Sequence, residues 1–228
     1  MSTENPVPNP LRLLRLMQLV SPALPVGAFS FSQGLEYAVE AGWITTEADI
    51  AEWLDTLMRE SLGRVDLPLL WRCLNALTEN DSARFSDWND YCLASRETAE
   101  FYHADKEMGK ALLRLLTQLH DASDFPPADE MSFVAAFALA VRQWDISAPE
   151  AMAGYLWSWL ENQVTAATKI VPFGQSVSQR LLWTLAERIA PVLEQAMVLR
   201  DEELGGSLPR LAISSALHET QYTRLYRS

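Results

Sequence analysis

Three histidines (His103, His120 and His218) and two cysteines (Cys73 and Cys92) are the residues of this chain that most readily support acid–base, nucleophilic or metal chemistry. A histidine beside a carboxylate can move protons. His103 stands near Asp105 and Glu107, and His218 adjoins Glu219. Those pairs would suit a small helical hydrolase or lyase using His103 or His218 with nearby carboxylates. The competing reading is a solvated surface, because residues two apart on a helix face different sides. The same groups offer nitrogen and oxygen ligands for a transient divalent contact. There is, however, no His-Glu-x-x-His, Cys-x-x-Cys or histidine-rich tract of the kind that builds a tight metal site. Ser30-Phe-Ser-Gln-Gly34 lacks the first glycine of a nucleophile elbow. Gly109-Lys110 falls short of a phosphate-cradling loop, with Ala104 where the first glycine belongs and Ala111 where Ser or Thr belongs. The cysteine spacing fits two half-buried thiols in a reducing compartment rather than a redox or zinc pair.

The elements that would position these groups read as helices. Ile50, Trp53, Leu54, Leu57, Met58 and Leu62 form one apolar stripe, with Thr46 ahead of it as N-cap. The same three-and-four spacing runs through Phe101–Leu119, Met152–Leu160 and Val177–Ile189. Ser147 and Glu150 bracket a capping box around Pro149, and Asn9-Pro10 opens a first helix that Pro22 stops. No alternating β-branched run competes. Breaks fall at Gly42, Gly63–Pro68, Asn80-Asp81, Asp121–Pro127, Pro172-Phe-Gly174 and Gly205–Pro209. The reading is an all-α, single-domain bundle of roughly eight to ten helices with mostly antiparallel neighbours. Residues 1–10 are expected to be disordered, 11–204 to form the helical domain, and 205–228 to be a partner-docking tail.

Composition narrows the partners. Thirty acidic residues against 18 basic ones leave a formal charge of −12, which repels nucleic-acid phosphates and attracts basic surfaces. The longest apolar run, Phe133–Val141, stops at Arg142, short of the ~18 residues that span a bilayer. The first residues carry neither a basic segment nor an apolar one, so no signal peptide is expected. A cytoplasmic protein without nucleic-acid or membrane partners is the expectation.

Three segments stand out from this helical background. Ser21-Pro-Ala-Leu-Pro-Val-Gly-Ala-Phe-Ser-Phe-Ser-Gln-Gly-Leu-Glu36 is apolar yet stiffened by Pro22, Pro25, Gly27 and Gly34, the composition of an ordered loop that packs on its own core or on a partner. Ala166-Ala-Thr-Lys-Ile-Val-Pro-Phe-Gly-Gln175 reads as a helix–helix corner in which Pro172 stops one helix, Gly174 permits a tight reversal and Val171 and Phe173 plug the core. Ile213 to Ser228 interleaves Arg224 and Arg227 with Tyr222, Leu225 and Tyr226, an interface composition in an acidic chain. The alternative for this ending is a tail that folds back on its own body.

Taken together and in this order, the three segments resemble the UreF family of urease accessory proteins. The corner resembles the family's Val-Pro-Leu-Gly-Gln, with Lys169-Ile170 where Arg-Leu usually stands, which keeps the charge but loses a bidentate fork. Ser178-Gln-Arg-Leu-Leu182 stands for Gly-Gln-Arg-Leu-Leu. The ending resembles His-Glu-x-Gln-Tyr-x-Arg-Leu-Phe-Arg-Ser, with Tyr226 for phenylalanine.

The resemblance implies a non-enzymatic assembly factor that scaffolds UreD (also called UreH) and the small GTPase UreG for GTP-dependent nickel insertion into apo-urease. It also implies a homodimer, no tightly bound cofactor, and nickel handled by the complex as a whole. The residues it points to as partner-binding are Pro22, Pro25, Gly27, Phe29, Gly34 and Glu36 in the first segment. In the corner they are Lys169, Pro172, Gly174 and Gln175. At the end of the chain they are His218, Glu219, Tyr222, Arg224, Leu225, Tyr226 and Arg227.

Overall fold

Apolar stripes at helical spacing must find partners, and in this protein they converge on the longest apolar run. A computed structural model describes residues 10–126, 130–171 and 173–227. Among these residues there are eleven α-helices and no strand. The run Phe133–Val141 is not a membrane segment but the heart of α7 (Phe133–Gln143), where each of those nine residues is buried. Around it pack α4 (Asp66–Glu79), α5 (Ser82–Ala94) and α6 (Ala99–Leu119). The long α8 (Ala148–Ile170) lies against α4 and links to α9 (Gln175–Ala186) and α10 (Ile189–Val198). Among the described residues no helix is long and apolar enough to cross a membrane.

Caps set several helix starts. The Thr46 side chain accepts the Asp49 N–H and Asp49 accepts the Thr46 N–H, a reciprocal box that opens α3 (Glu47–Leu57). Asp81, Thr98 and Ser132 cap α5, α6 and α7 in the same way, each accepting one orphan N–H. At Ser147 the expected capping box is absent: its hydroxyl donates to Glu150 at 2.5 Å and accepts no backbone N–H. The predicted stripe through Leu62 holds because α3 runs on into a π-turn, Met58–Leu62, that keeps Met58 and Leu62 buried. The break expected at Gly63–Pro68 is shorter than predicted. Asp66 already opens α4, and Pro68 sits in its first turn, where a missing N–H costs nothing. Of the ten residues expected to be disordered, Pro10 begins α1 (Pro10–Leu19) and the others lie outside the described residues.

Both cysteines are fully buried and free, not half-buried. Asp105, expected on a solvated face, is also interior.

Candidate functional site

The first segment is an ordered loop with one face in and one face out. Leu24 and Val26 are buried, whereas Pro22, Pro25 and Phe29 are exposed, Phe29 to 60%. Left-handed backbone at Gly27 (φ 78°) and Gly34 (φ 80°) bends the chain twice. Gly34 then caps α2 (Leu35–Glu40), whose first turn carries Glu36. A side chain at Gly34 is excluded for a second reason: a Cβ there would stand 2.3 Å from the Ser214 hydroxyl. Ser214 belongs to α11 (Pro209–His218), so the loop is pressed against the carboxyl-terminal helix.

That contact brings the first and last motifs together. The His218 ring is fully buried between two carboxylates from different helices. Its Nδ1 lies 3.0 Å from Glu100 Oε1 of α6, and its Nε2 lies 3.2 Å from Glu36 Oε2 of α2. Glu36 also grips the tail beyond α11. Its Oε1 accepts the Leu225 N–H at 2.7 Å and its Oε2 the Tyr226 N–H at 2.9 Å. The Arg227 N–H then donates to the Ser30 carbonyl at 2.8 Å. Arg224 reaches Glu100 at 3.5 Å, and the Thr98 and Ser215 hydroxyls meet at 2.7 Å beside it.

The electrostatics follow from burial and pairing. Burial pushes the Glu100 carboxyl up, and the hydrogen bond and charge of His218 pull it back. Burial, with Glu36 nearby, pushes the Tyr226 phenol up, and its hydroxyl has no hydrogen-bond partner among the described residues.

Thus His218, Glu36, Gly34 and Tyr226 are interior in this chain, each engaged where loop, α11 and tail meet. Glu219, Tyr222, Arg224, Leu225 and Arg227 stay on the surface. Tyr222 is wholly exposed at 103% and Leu225 is 63% exposed. On α11 the outward Ile213 and Leu217 add to this apolar, basic surface.

The corner lies apart from this site. Lys169 ends α8 exposed, Gly174 and Gln175 are exposed, and Val171 and Phe173 pack against the core. Pro172 lies outside the described residues. Gly174 has φ −73° and open space around it, so the turn uses no glycine-only conformation.

Sequence reasoning missed a second buried cluster. Arg96 donates to both Asp66 oxygens at 3.1 and 2.9 Å, to Asp105 at 3.3 Å and to the Cys92 sulfur at 3.2 Å. The Tyr155 hydroxyl donates to Asp66 at 3.0 Å, and Asp105 accepts the Phe133 N–H at 3.1 Å. One guanidinium therefore ties α4, α5, α6, α7 and α8 together. Burial raises the Asp105 carboxyl and Arg96 offsets part of that rise, while both aspartates keep the guanidinium firmly protonated. A cavity of about 110 Å³ lies between this cluster and the first loop, lined among others by Pro22, Phe31, Asp66, Arg96, Tyr155 and Gln163. No spacing in the sequence announces it. A signal was available only in the apolar neighbours of Asp66, which mark a charge placed in a buried stretch.

The geometry describes an all-helical protein, among the described residues, whose histidines are not arranged as a catalytic or metal centre. Both ring nitrogens of His218 are engaged and its ring is buried. His103 is exposed beside Tyr102, and His120 pairs with Trp144 and Gln143. Among the described residues no group of three or more His, Cys, Asp or Glu side chains is placed to hold a metal ion.

Comparison with known proteins agrees with that class. The UreF family model matches residues 44–186, and full-length relatives extend the match over both flanking motifs. The urease accessory protein UreF of Marinomonas sp. (strain MWYL1) is 46% identical over 226 residues, covering 99% of this chain and 98% of that protein. Those of Chromohalobacter salexigens and Azoarcus sp. (strain BH72) are 47% and 46% identical, with both chains covered completely. The chain belongs to the UreF family of urease accessory proteins.

Proposed function

We propose that this protein scaffolds the nickel-insertion machinery of urease. It would join a UreD/UreH-type partner to the GTPase UreG, so that GTP hydrolysis by the latter accompanies nickel delivery to the apo-enzyme. In this reading it acts in the cytoplasm as a homodimer, binds no cofactor tightly itself, and leaves nickel to the complex. The observation that carries the reading is the clasp. By gripping the Leu225 and Tyr226 amides, Glu36 holds the exposed side chains of Tyr222 and Leu225 on a defined platform. Preorganised aromatic, aliphatic and arginine side chains are what a protein interface is made from. The UreD-type partner is assigned to this platform and the exposed Phe29 loop. The corner, where Lys169, Gly174 and Gln175 are exposed, is assigned to the GTPase on the ground of that accessibility in an acidic chain.

The test is co-purification with a UreD-type partner. A chain ending at Gly206 would lose all of α11 and bare the core, so the informative variant is Tyr222→Ala with Leu225→Ala. Both side chains are solvent-exposed, so the fold should be untouched while capture falls by about tenfold or more. Undiminished capture by this variant would remove the platform from the reading. Charge reversal at Lys169 with unchanged UreG affinity would remove the corner.

A further inference from the structure

We propose that Glu36, His218 and Glu100 form a proton-loaded latch that holds residues 219–227 on the body and frees them when the proton leaves. The inference stands whether or not the tail docks a partner.

An ionised carboxylate only accepts, and a neutral imidazole has one N–H and one bare lone pair. Here both ring nitrogens face carboxylate oxygens, at 3.0 and 3.2 Å. A neutral ring between two ionised carboxylates would point a lone pair at a negative oxygen in a buried site, which is repulsive. The cluster closes only with one further proton, and the proposal places it on the ring as imidazolium, where each N–H donates to one carboxylate.

Glu36 couples that proton to the tail. The same carboxylate that accepts from His218 accepts the Leu225 and Tyr226 amides. The charged groups around the ring come from every element packed on it. They are Glu36 of α2, Glu100 of α6, Glu219 just past α11, and Arg224 of the tail, which faces Glu100 at 3.5 Å. With the ring charged, two cations face the carboxylates. Without it only the half-exposed Arg224 remains, and repulsion between Glu36 and Glu100 is no longer screened.

Beyond Glu36, the Gln221 amide on Glu40, Arg224 on Glu100 and the Tyr226 ring in the core tie the tail to the body. The tail's backbone anchors on the body are the two amides on Glu36 and the one on Ser30, and the buried Tyr226 hydroxyl has no hydrogen-bond partner among the described residues.

The experiment uses the full-length protein, following the ring nitrogens of His218 by NMR and the exchange protection factors of the Leu225 and Tyr226 amides across an acid-to-alkaline titration. We expect both ring nitrogens to carry protons while the tail is closed. Protection at Leu225 and Tyr226 should then fall by about tenfold or more in step with ring deprotonation, while the amides of α7 hold theirs. A singly protonated ring in the closed form, or tail protection indifferent to the ring proton, overturns the proposal. His218→Gln should leave the tail open throughout. Glu100→Gln supplies a second readout that does not depend on that variant folding. The glutamine amide can donate to an unprotonated Nδ1, so the tail should stay closed with protection that no longer changes with pH. Wild-type pH dependence in Glu100→Gln would also overturn the latch.

Discussion

The missing side chain of Gly34 and the hydroxyl of Ser214 compete for one position: a Cβ on Gly34 would lie 2.3 Å from Ser214 Oγ and 3.4 Å from the Ser215 amide nitrogen. Two chain segments some 180 residues apart are thereby locked face to face, and glycine is the residue that permits it.

Gly34→Ala meets both the left-handed φ of 80° and that overlap. We expect a loss of about 2–4 kcal/mol in chemical denaturation, with α11 and the tail loosened first in hydrogen exchange. Gly174→Ala is the internal control, because its φ of −73° suits any residue and nothing lies within 4 Å of the new methyl. Its cost should stay below about 1 kcal/mol.

Arg96→Met removes the cation that two buried aspartates share. Urea denaturation at neutral pH should show a loss of about 3–5 kcal/mol. The sign of its pH dependence follows from Asp105, whose folded carboxyl is already raised by burial and loses its main offset in the variant. A raised carboxyl favours the fold when protonated and loses that contribution as pH rises through it. The deficit of Arg96→Met should therefore shrink as pH falls through the carboxylate range. A deficit that is flat with pH would contradict this account of the cluster.

Cys73 and Cys92 should be silent toward thiol reagents in the native protein. Burial pushes the Cys73 thiol up to about 12 and also raises Cys92 well above its ordinary range. Disulfide exchange with an aromatic reagent at mildly alkaline pH should release no chromophore until denaturant is added, and then two equivalents per chain. Fast labelling of either thiol in the folded protein would mean that the core opens readily around it.

At the other end of the scale, Asp49 is held down to about 2 from 3.8 by the Thr45 and Thr46 amides and hydroxyls at the start of α3. A lowered carboxyl adds stability above its unfolded value and loses it as pH falls toward the folded one. Asp49→Asn should thus be less stable than wild type at neutral pH. The gap should close between pH 3.8 and about 2, as followed by helix content on thermal melting.

Much of the helical frame was legible because amphipathic spacing and caps are local. Ile50 to Leu62 could be read from one stripe, and Thr46 from its place ahead of it. The three motifs could be read as segments too. Their meeting could not, because nothing local to Glu36 announces that it will accept amides about 190 positions away. The Arg96 cluster was hidden for the same reason. Arg96 and Asp105 look like ordinary surface charges, and the apolar neighbours of Asp66 mark it as buried without naming its partners, until packing brings the three together. Gly174 erred in the other direction: a glycine two residues after a proline suggested a special turn, and the backbone there is extended.

The grip of Glu36 has an evolutionary side. It holds main-chain N–H groups at Leu225 and Tyr226, and those are common to nineteen of the twenty amino acids. Drift at position 225, whose side chain faces solvent, is therefore invisible to the anchor unless it produces proline. Lineages can rewrite what the tail displays, following a changing partner, while the attachment beneath it is inherited intact.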